Sequence, residues 1–291
     1  MSRPPSERRP RRALRRGAVL ALAVTLTMLL SGCSEEQTDQ MKRLGLPELN
    51  SDRAPYMEHL WVNEWIAAGI VGFFVWGLIG WTALRYRRRS EEYVPPQVRY
   101  NLPIEVLYTI APIIVVAVLF FFTVETQNKI LEEVPNPDHQ VMVTAQQWSW
   151  TFSYLAEDAL GGSTDVYDVG TPANDTQLWL VEDKTVTFTL HSPDVIHSFW
   201  VPSWAFKLDV IPGRDQSFSL TPDTQGTYVG RCAELCGVGH SRMLFSVVVV
   251  DQATFDQHLQ DLKDAGQIGA PPGASNSEDV SGLDDQEGTS S

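Results

Sequence analysis

Two long apolar runs constrain this chain more than any other feature. WIAAGIVGFFVWGLIGWTAL, Trp65–Leu84, is 20 residues without a charge, and VLYTIAPIIVVAVLFFFTV, Val106–Val124, is 19. At about 1.5 Å of rise per residue, each can cross a hydrocarbon layer roughly 30 Å thick as a helix. In lipid such a run must be helical, because its backbone N–H and C=O groups have to pair within the segment. Pro112 falls inside the second run as an expected kink. Trp61, Trp65, Trp81, Tyr86 and Tyr108 stand near the ends, where amphipathic rings favour the interface. Residues 58–126 therefore read as a transmembrane hairpin, with helices over about 62–86 and 104–126.

Orientation follows from the connecting loop. RYRRRSEEYVPPQVRYNLPIE carries Arg85, Arg87, Arg88, Arg89 and Arg99, which marks the cytoplasmic side and leaves both flanks outside. The N-terminus agrees. Residues 1–32 place seven arginines against one acid, Glu7, ahead of the short apolar run AVLALAVTLTMLL, the pattern of a secretory signal peptide. The run ends in Leu30-Ser31-Gly32-Cys33, which resembles the lipobox of bacterial lipoproteins. That resemblance implies a lipid-bearing Cys33 at the head of an extracytoplasmic segment, residues 33–57, on a bacterial cell membrane.

The formal net charge is −14; outside the signal segment, 15 bases face 35 acids. Phosphate backbones would repel such a chain, which excludes nucleic acid as a partner. A basic protein drawn in by long-range attraction suits it better.

Residues 139–263 change character. VMVTA, TVTFTL, QSFSL, TYVG and LFSVVVV are short alternating or β-branched runs broken by Pro, Gly and Asp. They predict a small all-β Greek-key sandwich or barrel, closed by a helix near Gln252–Ala265. Residues 264–291 are polar, acidic and poor in apolar side chains, so disorder is expected there.

Chemistry concentrates in RCAELCGVGHSRM, Arg231–Met243. Cys232, Cys236, His240 and Met243 are a soft ligand set suited to copper. Zinc accepts Cys and His, although a thioether is an unusual zinc ligand. A Cys232–Cys236 disulfide is also open, since exported cysteines often pair. HSPDVIHSFWVP supplies two further imidazoles, His191 and His197.

Taken in order, DVIHSFWVP, FKLDVIPGR and CAELCGVGHSRM, together with QQWSWTFSY and the hairpin, resemble cytochrome c oxidase subunit II over roughly residues 55–263. The resemblance implies a cupredoxin-like domain holding a binuclear copper A centre. Its terminal imidazoles would be His197 and His240, its bridging thiolates Cys232 and Cys236, and its weak thioether Met243. Glu234 would give copper a backbone carbonyl, and its carboxylate would reach a magnesium shared with subunit I, a hard ligand for a hard ion.

The resemblance also assigns roles beyond the copper loop. It makes Trp148 the point where electrons enter from cytochrome c, with Trp150 packed inward. Asp194 becomes a docking acid, where the residues alone read a turn former. Glu105, in EVLYTIAP, stands at the mouth of a proton pathway, where the residues alone read a favourable charge at a helix N-terminus. His191 matches no ligand and reads as structural. His139 and His258 read as surface residues, and His59 as lying near the outer membrane face.

The function implied is that of an electron-transfer subunit in an aa3-type haem-copper terminal oxidase. It would accept electrons from a soluble or membrane-bound cytochrome c and pass them to haem in subunit I, for oxygen reduction coupled to proton pumping. The chain lacks the intramembrane histidines that oxygen reduction would require of it alone. Two alternatives are a copper-handling membrane lipoprotein and a structural subunit II of a quinol oxidase. One departure from the family pattern is the acidic stretch AEDALGGSTDVYDVGTPANDTQLW, longer than the usual loop, which suits a partner contact or a surface elaboration.

Overall fold

The structure, a computed structural model, describes residues 34–90, 92, 94, 96–171 and 174–271. The expectations for residues 1–32, for Cys33 and for the tail beyond residue 271 lie outside the described residues. Residues 34–46 belong to a unit of their own. It holds helix α1 (Glu35–Lys42), opened by a reciprocal capping box between Ser34 and Gln37.

The hairpin consists of α2 (Ala54–Arg85) and α3 (Leu102–Ile130). Both exceed the helices read from hydropathy. α2 begins earlier because Tyr56–Glu64 continue the helix beyond the apolar stretch, with Pro55 in the first turn, where its missing N–H costs nothing. At its far end α3 runs on through Glu125 and Lys129, which pair one turn apart at 2.7 Å. Neither apolar stretch is buried by the rest of the chain; Phe73 is 84% exposed. Helices this long and apolar, with nothing of their own protein covering them, suit a membrane.

The remainder is a sandwich of two five-stranded sheets. One runs β3 (Val166–Val169), β2 (Ser149–Tyr154), β1 (His139–Gln146), β5 (Val186–His191) and β8 (Gln216–Leu220). The other runs β4 (Thr176–Val181), β10 (Leu244–Val250), β9 (Gly226–Cys232), β6 (His197–Val201) and β7 (Phe206–Val210). β1 pairs parallel with β5, and β4 with β10; the other ladders are antiparallel. Strict alternation shows in β5, where Val186, Phe188 and Leu190 point inward. Between the sheets lie Trp150, Phe152, Phe199, Trp204, Phe218 and Phe245, all at most 1% exposed. Helix α4 (Gln252–Asp264) buries Phe255, Leu259 and Leu262 against the β3 and β4 side.

Three expectations need correction. His139 is not a surface residue: it is 8% exposed, 2.8 Å from the equally buried Glu157, with its ring edge-on to Phe255. His258 stacks on Trp179 at 4.4 Å rather than standing in solvent. The tail is not loose from residue 264, since Ile268 bridges to Val166 and Gly269 N–H donates to the Asp165 carbonyl. The acidic stretch also proves structural. It contributes β3 and a 3-10 turn, Asp158–Leu160, whose Ala159 carbonyl accepts from Gln260 on α4.

Candidate metal centre

Strand pairing assembles the site. His197 opens β6 and Cys232 closes β9, and the two strands run antiparallel with Phe199 opposite Cys232, so both side chains reach the same end of the sandwich. The loop that follows returns to that end. Cys232 N–H donates to the Met243 carbonyl at 3.0 Å and Ala233 N–H to the Ser198 carbonyl at 3.0 Å, which closes the loop at its base. Inside it a short 3-10 turn, His240–Arg242, presents His240 and then Met243.

The ligand atoms of His197, Cys232 and Cys236 lie within 4.8 Å of one another, all buried. Cys232 Sγ stands 3.9 Å from His197 Nδ1 and 3.9 Å from Cys236 Sγ. Cys236 Sγ stands 3.7 Å from both His240 Nδ1 and Met243 Sδ. The Glu234 carbonyl oxygen lies 3.2 Å from Cys232 Sγ. Both thiols are free, and their separation is nearly twice a disulfide bond length of about 2.05 Å, so the disulfide is not the arrangement here.

An outer ring of contacts orients these groups. Asp194 Oδ1 lies 2.8 Å from His197 Nε2, while the same carboxylate accepts from the Gln147 and Val195 backbone N–H groups at 2.7 and 2.6 Å. With Nε2 engaged, Nδ1 is the nitrogen that faces sulfur. The Cys236 carbonyl accepts twice, from Gln147 Nε2 at 2.6 Å and from Trp148 Nε1 at 3.1 Å. Trp150 is fully buried beneath, donating to the Met243 carbonyl at 3.4 Å.

Comparison with known proteins decides the family. A family model for the periplasmic domain of cytochrome c oxidase subunit II matches residues 139–251. A probable cytochrome c oxidase subunit 2 from Streptomyces avermitilis is 43% identical over 302 residues, covering 92% of this chain and 93% of that protein. The chain belongs to the cytochrome c oxidase subunit II family. Subunit II of Corynebacterium glutamicum is 33% identical, covering 87% of each chain. The solved periplasmic domain of subunit II from Bradyrhizobium japonicum is 26% identical with a TM-score of 0.40, covering 46% of this chain and 99% of that one. As a subunit II, this is one component of a cytochrome c oxidase complex.

The electrostatics of the loop fit a soft cation. Burial alone would raise both thiols, yet hydrogen bonding to His197 and to the backbone at Ser198 brings Cys232 below the ordinary thiol range. Burial, then the charge on Cys232, pushes Cys236 above that range. Two thiols this close resist ionising together, and a bound cation supplies the positive charge that lets both do so. Burial lowers His197, but the Asp194 carboxylate and the Cys232 thiol together more than offset this and leave it raised. Two thiols, two imidazoles and a thioether gathered at one end of the sandwich, all buried but His240, are a donor set for copper rather than for calcium or magnesium.

The other residues singled out from sequence lie elsewhere. His191 pairs with Asp215 at 2.8 Å and stays outside the cluster. Glu105 folds onto the start of α3, where it accepts from the Asn101 N–H at 2.8 Å. His59 is exposed, in the second turn of α2. The sequence reading missed Gln147 and Gly239. Gln147 sits in an aromatic run that drew attention to its tryptophans. Gly239 looks like loop filler, although a Cβ there would lie 2.4 Å from Trp148 Cγ.

Proposed function

We propose that this subunit accepts electrons from a cytochrome c and passes them to haem in subunit I of an aa3-type, proton-pumping oxidase. The carrier would be a binuclear copper A centre held by His197, Cys232, Glu234, Cys236, His240 and Met243. The observation that carries the reading is the pair of free thiols 3.9 Å apart, each within 3.9 Å of a different imidazole. Two copper ions held there would supply a one-electron store.

The chain's own groups make that store usable. Asp194 holds the His197 ring in one orientation, and burial of both cysteines keeps water from the sulfurs. Trp148, half-buried and tied to the Cys236 carbonyl, is the proposed point of electron uptake. Glu234 turns its carbonyl toward Cys232 while the residue as a whole is exposed, which leaves its carboxylate able to meet a magnesium shared with subunit I. Glu105, at the loop end of α3, is proposed for the mouth of a proton pathway. Cys33 would carry the lipid, with the N-terminus and the β-domain outside the cell membrane. The electron donor would be a soluble or membrane-bound cytochrome c, drawn to an acidic surface.

Electron paramagnetic resonance on the copper-loaded protein tests this. The expected spectrum shows one unpaired spin split equally by two copper nuclei. A single-copper spectrum would overturn the binuclear assignment.

A further inference from the structure

The segment joining the N-terminal unit to the hairpin is bound at both ends. Asn50 and Ser51 are each 1% exposed, and Ser51 forms an antiparallel bridge with Pro222. Asn50 N–H donates to the Ser203 carbonyl at 3.0 Å, in the turn that follows β6. Asp52 and Thr221 exchange two bonds: Asp52 N–H to the Thr221 carbonyl at 3.0 Å, and Thr221 N–H to Asp52 Oδ1 at 2.8 Å. These contacts grip the turn after β6 and the turn before β9, at the ends opposite His197 and Cys232.

Arg53 then reaches the other way. Its Nη1 donates to the Lys129 carbonyl at 2.6 Å and lies 3.8 Å from Glu132, while Nε lies 3.3 Å from Asp52. The side chain is only 14% exposed. Carbonyls in the last turn of a helix have no partner within it, and a cation there is also favoured by the helix dipole. A planar guanidinium can meet a carbonyl and two carboxylates at once, which an ammonium cannot match in geometry. Arg53 thus ties the start of α2, the end of α3 and, through Asp52, the base of the β-domain. A second tie lies alongside, where Val134 N–H donates to Ser219 Oγ at 3.0 Å.

We infer that Arg53 and Asp52 are positioning residues that set the copper end of the β-domain relative to the membrane hairpin, and so govern electron transfer out of subunit II. The inference rests on the proposed electron-transfer function. Lever geometry makes it consequential. Cys232 lies six residues beyond Gly226, or about 20 Å at roughly 3.3 Å per residue. A tilt of about 3° at the base would move the ligands by about 1 Å over that arm. Electron transfer between two fixed centres slows as their separation grows, so a displacement on that scale is felt in the copper-to-haem step.

The test uses the purified oxidase complex with Arg53→Gln, Arg53→Lys and Asp52→Asn. Each variant is followed by its copper resonance spectrum, by its rate of reduction by cytochrome c, and by the copper-to-haem transfer rate. Arg53→Gln should keep the first two and slow the third. Arg53→Lys should recover part of that loss, because one donor can still reach the Lys129 carbonyl. Asp52→Asn keeps the bond from Thr221 but removes the ion pair, so it should show a smaller loss of the same kind. It carries the test if Arg53→Gln fails to assemble. An unchanged copper-to-haem rate in the variants that assemble overturns the positioning role. A wild-type complex without a two-copper spectrum fails the underlying function instead, and the two failures are read from different measurements.

Discussion

At the scale of single residues, the site is a set of short contacts around one carbonyl and one carboxylate. The Cys236 carbonyl holds the Gln147 amide and the Trp148 indole, and the indole lies where a side chain on Gly239 would have to go. Gly239→Ala should push the Trp148 ring off its carbonyl. Overpacking of this kind costs about 1–3 kcal/mol, and chemical denaturation should show a loss in that range together with altered tryptophan fluorescence. Wild-type stability and fluorescence in the variant would mean that the indole has room the structure does not give it. The candidate soft donors were legible in sequence because four of them, Cys232, Cys236, His240 and Met243, share one loop, and soft donors at that density have few other uses. The role of Gly239 was not legible, because what a missing Cβ makes room for comes from a hairpin about 90 residues away. Asp194 lies between. It stands three residues before His197, so the sequence put it near the site, but only the fold shows the carboxylate on the ring nitrogen.

At the scale of elements, hydropathy located both hairpin helices and their loop-side ends, but ended them short on the side of the β-domain. The apolar runs give out beside Glu64 and Glu125, whereas a helix continues wherever backbone bonding and flanking charge pairs allow. The strands were legible as alternation, but their order was not. The parallel β1–β5 and β4–β10 pairings bring together segments that are neighbours only in space. Tertiary packing likewise turns the acidic stretch into β3, because Val166 and Leu160 are buried there against neighbours that local composition cannot name. Helix α4 was legible and its cap can be tested. Asp251 accepts from Thr254 N–H at 3.0 Å and from Thr254 Oγ1 at 2.8 Å. Asp251→Ala should cost about 1 kcal/mol, and Asp251→Asn much less. Copper loading should be unaffected, because the helix packs on the β3 and β4 side, away from the loop that carries the candidate ligands. Equal losses in the Ala and Asn variants would rule out the cap as the cause.

At the scale of the whole molecule, acidity sets how stability responds to pH, and one histidine gives the response a distinct onset. Burial against Trp179 holds His258 down to about 4, only weakly opposed by Asp261. In the unfolded chain the same ring titrates near 6.5. Between those values the unfolded chain takes up a proton that the folded chain refuses, so stability rises with pH across the window and is lost as pH falls through it. The ring is only partly buried, so the contribution is discounted for solvent screening to about 1–2 kcal/mol. A second loss begins lower. Asp138 and Asp194 are held below the usual carboxylate range, the first by the Thr185 N–H and the second, against its own burial, by His197 and two backbone N–H groups. Their stabilisation disappears only as pH falls below their unfolded values, near 3.9. Thermal melting of the copper-free chain should therefore weaken in two stages on acidification, the first between pH about 6.5 and 4. His258→Gln should flatten the first stage and leave the second in place. If the variant melts with the wild-type pH dependence between those values, the early loss of stability belongs to another group, and the Trp179–His258 stack is not what keeps the ring neutral.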